Sequence, residues 1–144
     1  MTSRVLLLGT AAALASSPFC EARAAGDLVR KCQRLPELVL GTDEAGYKVS
    51  QPTYELETAK CYKLEIKSTG RKEYALRGVD FFRNIWIRKV EAGGMEIKAT
   101  NLYELEYEYE AESELYFTPI RTGTFTLAAA GLEAKGTVIT FEVK

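Results

Sequence analysis

The chain has 144 residues, 47% of them hydrophobic, with 19 basic and 20 acidic side chains and a net charge of −1. That balance leaves no basic excess for nucleic acid or for an anionic membrane surface. The chain also contains no histidine, which removes the commonest metal ligand and the usual general base.

In chain order, Arg4, the apolar run from Val5 to Ala15 and the small-x-small triplet Ala22-Arg23-Ala24 read as a secretory signal peptide over residues 1–24. The apolar core of that segment is too short to span a bilayer as a helix. A mature chain beginning near Ala25 keeps roughly 120 residues, enough for one domain with its own core. Residues 25–35 form an N-terminal lead, and Asp27 to Arg34 is the only stretch read as a short helix. The mature chain retains Cys32 and Cys61. Export places them in an oxidising compartment, where two lone cysteines most often pair, so a Cys32–Cys61 disulfide is expected. There is no Cys-x-x-Cys spacing to favour a redox-active or metal-binding pair.

After Pro36 the pattern is strand after strand. Tyr54 to Glu57 alternates. Cys61 to Lys67 alternates more clearly, with Tyr62, Leu64 and Ile66 opposite Lys63, Glu65 and Lys67. Ser68 to Arg71 is turn chemistry, and Glu73 to Arg77 is a short strand. Phe81-Phe82 opens an apolar stretch through Ile85, Trp86 and Ile87 to Val90, read as core. If one of these rings is exposed near the 131–136 loop, it would extend an apolar docking patch. Gly93-Gly94 reads as a hairpin turn returning through Met95-Glu96-Ile97.

Leu102 to Glu112 reads as one strand, with Tyr103, Leu105, Tyr107 and Tyr109 on a core face. Glu104, Glu106, Glu108 and Glu110 take the other face, and Glu112 and Glu114 extend the run. Repulsion along this row is expected to be relieved by Lys63, Lys67, Arg88, Lys89 or Lys98 on neighbouring strands. The functional readings are a docking strip for a basic partner, or a loose site for a hard cation such as calcium. A flat carboxylate row is a poor calcium cage because it lacks loop carbonyls. The tyrosine row is alternatively a strip for sugar or peptide. Leu115 to Ile120, Thr124 to Ala129 and Thr137 to Val143 complete the strands, spaced as in an all-β sandwich.

Catalytic motifs are missing. Ser50, Ser68 and Ser113 stand in no Gly-x-Ser-x-Gly or Ser-x-x-Lys context, and no Gly-rich phosphate loop is present. No enzyme activity is expected.

Three segments resemble the cupredoxin family: Glu57 to Ile66, Ser68 to Phe82, and Tyr116 to Lys144. In the last, Thr122-Gly123-Thr124-Phe125-Thr126-Leu127 resembles the family's PGTYxF, and Gly136-Thr137 stands where the family has Gly-Met. The resemblance covers roughly residues 36–144. It implies an all-β, Greek-key β-sandwich of about 7–8 strands. It also implies ligand positions, and these carry the wrong residues. The family's cysteine falls on Ala129 or a neighbour in 128–130, its second histidine on Leu132, its axial methionine on Thr137, and its first histidine on Glu73 or Tyr74. A type 1 copper site needs two imidazoles and a thiolate. The resemblance therefore implies the sandwich without blue-copper electron transfer, and no cofactor is expected.

The expected protein is an exported module, periplasmic or secreted, that binds a protein partner through its surface. The alternative is a copper-handling protein using Met95, Tyr74, Glu73 and reduced cysteines as donors.

Overall fold

The alternation after Pro36 builds two mixed β-sheets in the computed structural model, which describes residues 31–144. The segment read as a signal peptide, residues 1–24, and residues 25–30 of the lead lie outside the described residues. The first sheet has the order β1 (Gln33–Arg34), β4 (Tyr62–Thr69), β9 (Glu110–Pro119), β6 (Ile85–Ala92) and β7 (Met95–Ile97), with β2 (Leu38–Leu40) also pairing with β4. The second has the order β3 (Thr53–Leu56), β11 (Val138–Val143), β10 (Gly123–Ala129), β5 (Tyr74–Arg77) and β8 (Glu104–Tyr107). The β1–β4, β2–β4 and β3–β11 pairs are parallel, and the other pairs are antiparallel.

The period-two pattern decides which side chains face inward. In β4, Tyr62, Leu64 and Ile66 are buried while Lys63, Glu65 and Lys67 are half-buried on the outer face. The inward faces of the two sheets meet in one cluster that includes Tyr54, Phe81, Phe117 and Phe141. Phe81 stacks on Phe141 with centroids 4.1 Å apart and meets Phe117 edge-on at 5.5 Å.

Phe81 and Phe82 are buried as read, but they sit on a five-residue helix, α1 (Val79–Arg83), and not on a strand. Aromatic and β-branched residues carry little helix propensity, so the packing of the two rings sets this turn. Trp86 is not core: it is 47% exposed. Ile85 and Ile87 take the inner face of β6, so the residue between them must point outward. Its strand partner is Thr118 in the first sheet, whereas residues 131–136 follow β10 in the second.

The expected Leu102–Glu112 strand is two strands in different sheets. β8 ends at Tyr107 and β9 begins at Glu110. Both halves keep the same alternation, so the pattern does not mark the crossing. Of Tyr103, Tyr107 and Tyr109 only Tyr107 is buried, its hydroxyl hydrogen-bonded to Ser113. Tyr103 is 66% and Tyr109 75% exposed. The β6–β7 hairpin turns at Gly93-Gly94 as read, with φ of 54° and 78°.

The lead is extended at Gln33–Arg34, not helical, because β1 pairs with β4 and Cys32 is bonded to Cys61. The Cα atoms of the two cysteines are 4.6 Å apart. No helix among the described residues is long and apolar enough to cross a membrane.

Two outcomes follow for stability. Phe81→Ala should cost about 3–5 kcal/mol in urea unfolding of the oxidised protein. Removing both Cys32 and Cys61 as serines should cost about 3–4 kcal/mol, and the denatured mature wild type should show no free thiol in a thiol titration.

Candidate functional site

Two regions carry the residues singled out by sequence. The first is the end of the sandwich where β5, β10 and β11 meet. Ala129 closes β10 and is buried, and its N–H donates to the Thr137 carbonyl at 3.0 Å. The Leu132 N–H donates to the Ala129 carbonyl at 2.9 Å, and a single 3₁₀ turn, Glu133–Lys135, follows. Gly136 ends that turn at φ 99°, a left-handed conformation that suits glycine. Ala129, Leu132 and Thr137 therefore belong to one tight turn. Tyr74, at the start of β5, is fully buried.

The remaining wall is a loop that sequence reading missed. Residues 41–48 form a closed loop in which the Gly41 N–H donates to the Lys48 carbonyl at 2.8 Å. The Asp43 carboxylate accepts from the N–H groups of Tyr47 at 2.6 Å and Lys48 at 2.8 Å. These bonds, first that from Lys48, hold the Asp43 carboxyl below the usual range. The Tyr74 hydroxyl donates to the Gly46 carbonyl at 2.8 Å, and the Thr137 hydroxyl donates to the next carbonyl, Tyr47, at 2.7 Å. Gly41 sits at φ 80°, and a Cβ there would collide with the Tyr74 hydroxyl. The sequence signal was Gly41 and Gly46 bracketing Asp43, the composition of a tight turn.

This arrangement does not fit a type 1 copper ion. The Tyr74 phenol is a committed donor, and burial pushes its pKa up, away from the phenolate a metal would take. The Thr137 hydroxyl is equally committed, and Ala129 and Leu132 offer no donor atom. The alternative copper donors are not brought together either. Met95 is 63% exposed on β7 at the edge of the other sheet, and Cys32 and Cys61 are bonded to each other. Among the described residues no three His, Cys, Asp or Glu side chains are grouped so as to hold a metal ion.

The architecture matches known structures. A multi-copper oxidase from Pediococcus acidilactici superposes with TM-score 0.58 at 8% identity, over 99% of this chain and 31% of that one. For a copper nitrite reductase from Nitrosomonas europaea the values are 0.57 and 10%, over 84% and 52%. For a multicopper oxidase from Campylobacter jejuni they are 0.53 and 11%, over 80% and 31%. The chain has a cupredoxin-like fold. At these identities the likeness concerns the fold alone, and this cupredoxin-like chain spans about a third to a half of each of those enzymes. No protein-family model matches the sequence, and no curated protein does.

The second region is the glutamate run, which the sheet crossing divides. Glu104 is half-buried and paired with Arg77. Glu114 is half-buried and paired with Lys63 at 2.5 Å, and Glu112 lies 4.0 Å from Lys67. Lys63 and Lys67 thus relieve the run as anticipated. Lys89 instead serves Glu91 and Glu96, and Lys98 serves Glu96. Glu106, Glu108 and Glu110 are exposed and have no ion pair among the described residues. The neighbouring Glu73 carboxyl, then burial and the charges of Glu104 and Glu108, push the Glu106 pKa up. With Tyr109, these residues make an acidic projection at the β8–β9 crossing.

Opposite pH dependences follow. Lys63 holds the Glu114 carboxyl down to about 2, and Lys98 and then Lys89 hold Glu96 down to about 2. Folded values below the unfolded ones stabilise the protein above the ordinary carboxylate range, and that stabilisation is lost as pH falls toward 2. The melting temperature should therefore drop on acidification, and less steeply in Glu114→Gln. Glu106 is raised, so its charge opposes folding at neutral pH, and Glu106→Gln should raise the melting temperature at pH 7 by a small amount. Tyr74→Phe, which strands the Gly46 carbonyl, should cost about 1–2 kcal/mol in urea unfolding.

Proposed function

We propose that this chain is an exported, periplasmic binding or accessory module that works through protein–protein contact and carries no type 1 copper. On this reading the copper-ligand positions are Tyr74, Ala129, Leu132 and Thr137, and they have become structural. The carrying observation is the commitment of the Tyr74 and Thr137 hydroxyls to consecutive carbonyls of the 41–48 loop. Chemistry is thereby withdrawn from the end of the sandwich, and recognition falls to the surface.

The surface best suited to a partner is the acidic projection of Glu106, Glu108 and Glu110 around Tyr109. An exposed tyrosine ringed by unpaired carboxylates suits a basic partner: the ring supplies apolar contact area, and the charges steer the encounter. Glu104 is withdrawn from the docking set because Arg77 already holds it. The export reading rests on the N-terminal sequence and agrees with the Cys32–Cys61 bond.

Two measurements test this. Mature protein loaded with Cu(I) or Cu(II) and then desalted should retain no stoichiometric copper, and retention at micromolar affinity or tighter would overturn the proposal. Reversing charge in Glu106→Lys, Glu108→Lys and Glu110→Lys together should abolish recovery of a periplasmic partner by immobilised protein. Unchanged recovery would remove the acidic projection from the recognition surface.

A further inference from the structure

Strand β7 ends the first sheet. One side of it pairs with β6, and the other side is unpaired among the described residues. Its side chains alternate. Ile97 stands opposite Val90, which is buried, yet Ile97 is 39% exposed and Met95 on the same face is more so. The apolar inner face therefore runs on past the covered core. On the outer face Glu96 is followed by Lys98, whose Nζ lies 2.5 Å from the Glu96 carboxylate. Lys89 of β6 also reaches Glu96, at 3.0 Å.

The Gly93-Gly94 turn fixes where the backbone groups point. In a two-residue hairpin the flanking residues, here Ala92 and Met95, turn their N–H and C=O groups toward each other, and the direction alternates along the strand. Met95 and Ile97 are thus committed to β6. The N–H and C=O groups of Glu96 and Lys98 point away from the sheet. An antiparallel strand laid along this edge must bring a cation opposite Glu96, an apolar residue opposite Ile97 and an anion opposite Lys98. β7 itself supplies that set when a second copy is turned about a twofold axis through Ile97. The other edges do not. β8 would bring Glu104 or Glu106 opposite Glu96, and Glu55 of β3 is already paired with Lys144.

We propose that β7 is the interface of a homodimer, its edge paired antiparallel with the same edge of a second copy, Ile97 opposite Ile97 and Glu96 opposite Lys98. This register joins the outward backbone groups of Glu96 to those of Lys98 in the partner subunit, and the twofold axis repeats the contact. The two Ile97 side chains meet as a non-hydrogen-bonded pair, the kind with Cα atoms about 4.5 Å apart. An isologous contact closes on itself, so the free edge is used up without growth of a filament. The interface is small, since β7 spans 3 residues, and a standard stable interface buries about 1,600 Å². The dimer is therefore weak. It does not depend on the acidic projection of Glu106, Glu108 and Glu110.

Sedimentation velocity of the mature oxidised protein across a concentration series should show a monomer–dimer equilibrium with a Kd of about 100 µM. Glu96→Lys and Lys98→Glu should each weaken dimerisation by about tenfold or more, because the twofold axis sets like charges opposite each other twice. An equimolar mixture of the two variants should recover wild-type association. One chain then carries lysine at both positions and the other carries glutamate, so every cross-strand contact is again between opposite charges. Lys98 follows the last residue of β7 and its side chain is exposed, so Lys98→Glu leaves the hairpin intact. That variant decides the outcome even where Glu96→Lys, which also loses its contact with Lys89, fails to fold. The proposal is overturned if the wild type is still monomeric at about 1 mM, tenfold above the expected Kd. Dimerisation of Lys98→Glu as tight as the wild type, or a mixture of folded variants that associates no better than either alone, also overturns it.

Discussion

The stack of Phe81 on Phe141 is the contact on which the rest of the sandwich depends. Phe141 belongs to β11 in one sheet, Phe117 to β9 in the other, and Phe81 reaches between them from α1. Three rings from two sheets and a connecting turn meet in a geometry that aromatic quadrupoles favour. Each contributes burial of about 1.5–3 kcal/mol beyond that geometry. The same contact explains why a poor helix sequence forms a helix at Val79–Arg83. Seating two adjacent phenylalanines on one core needs a helical turn, because successive strand residues point to opposite faces.

With the sheets joined there, the end formed by β5, β10 and β11 is closed by polar bonds. The 41–48 loop lies across it, and two buried hydroxyls satisfy two of its carbonyls. A buried hydroxyl without a partner costs a few kcal/mol, so each bond matters more for what its loss would strand than for its own strength. Lys72 and Lys135 from the flanking loops lie over the Tyr47 ring, at 5.3 and 5.8 Å from its centre. A fold shared with copper enzymes is here an end sealed by phenol, methyl and hydroxyl groups. The same solvation argument shapes the outside. On the outer face of the first sheet Arg34–Glu65 and Lys63–Glu114 pair across neighbouring strands, and Lys89 pairs with Glu91 along its own strand.

Much of the architecture was legible from side-chain alternation. β4, β10, β11 and the Gly93-Gly94 hairpin fall where the pattern puts them, since period two and turn residues act locally. The misreadings have different causes. Leu102 to Glu112 alternates without interruption, yet the chain leaves one sheet after Tyr107 and enters the other at Glu110. Alternation records which face of a strand is buried and not which sheet the strand belongs to. Trp86 was read as core from its apolar neighbours, although the alternation of Ile85 and Ile87 already turned it outward.

The sequence by itself determined which side-chain donors exist, with no imidazole anywhere in the chain, because folding places donors and cannot create them. It also determined the sandwich, through period-two burial, and the cysteine pairing, through the scarcity of alternatives. Only the tertiary structure decided what the Tyr74 and Thr137 hydroxyls bind. The partners of Tyr74 and Thr137 are carbonyls 28 and 90 residues away in the chain. It likewise decided which charges stand alone. Glu104 and Glu106 are equivalent in the sequence, and strand register gives one an arginine and the other a second carboxylate. Register depends on long-range pairing, and no local pattern encodes it.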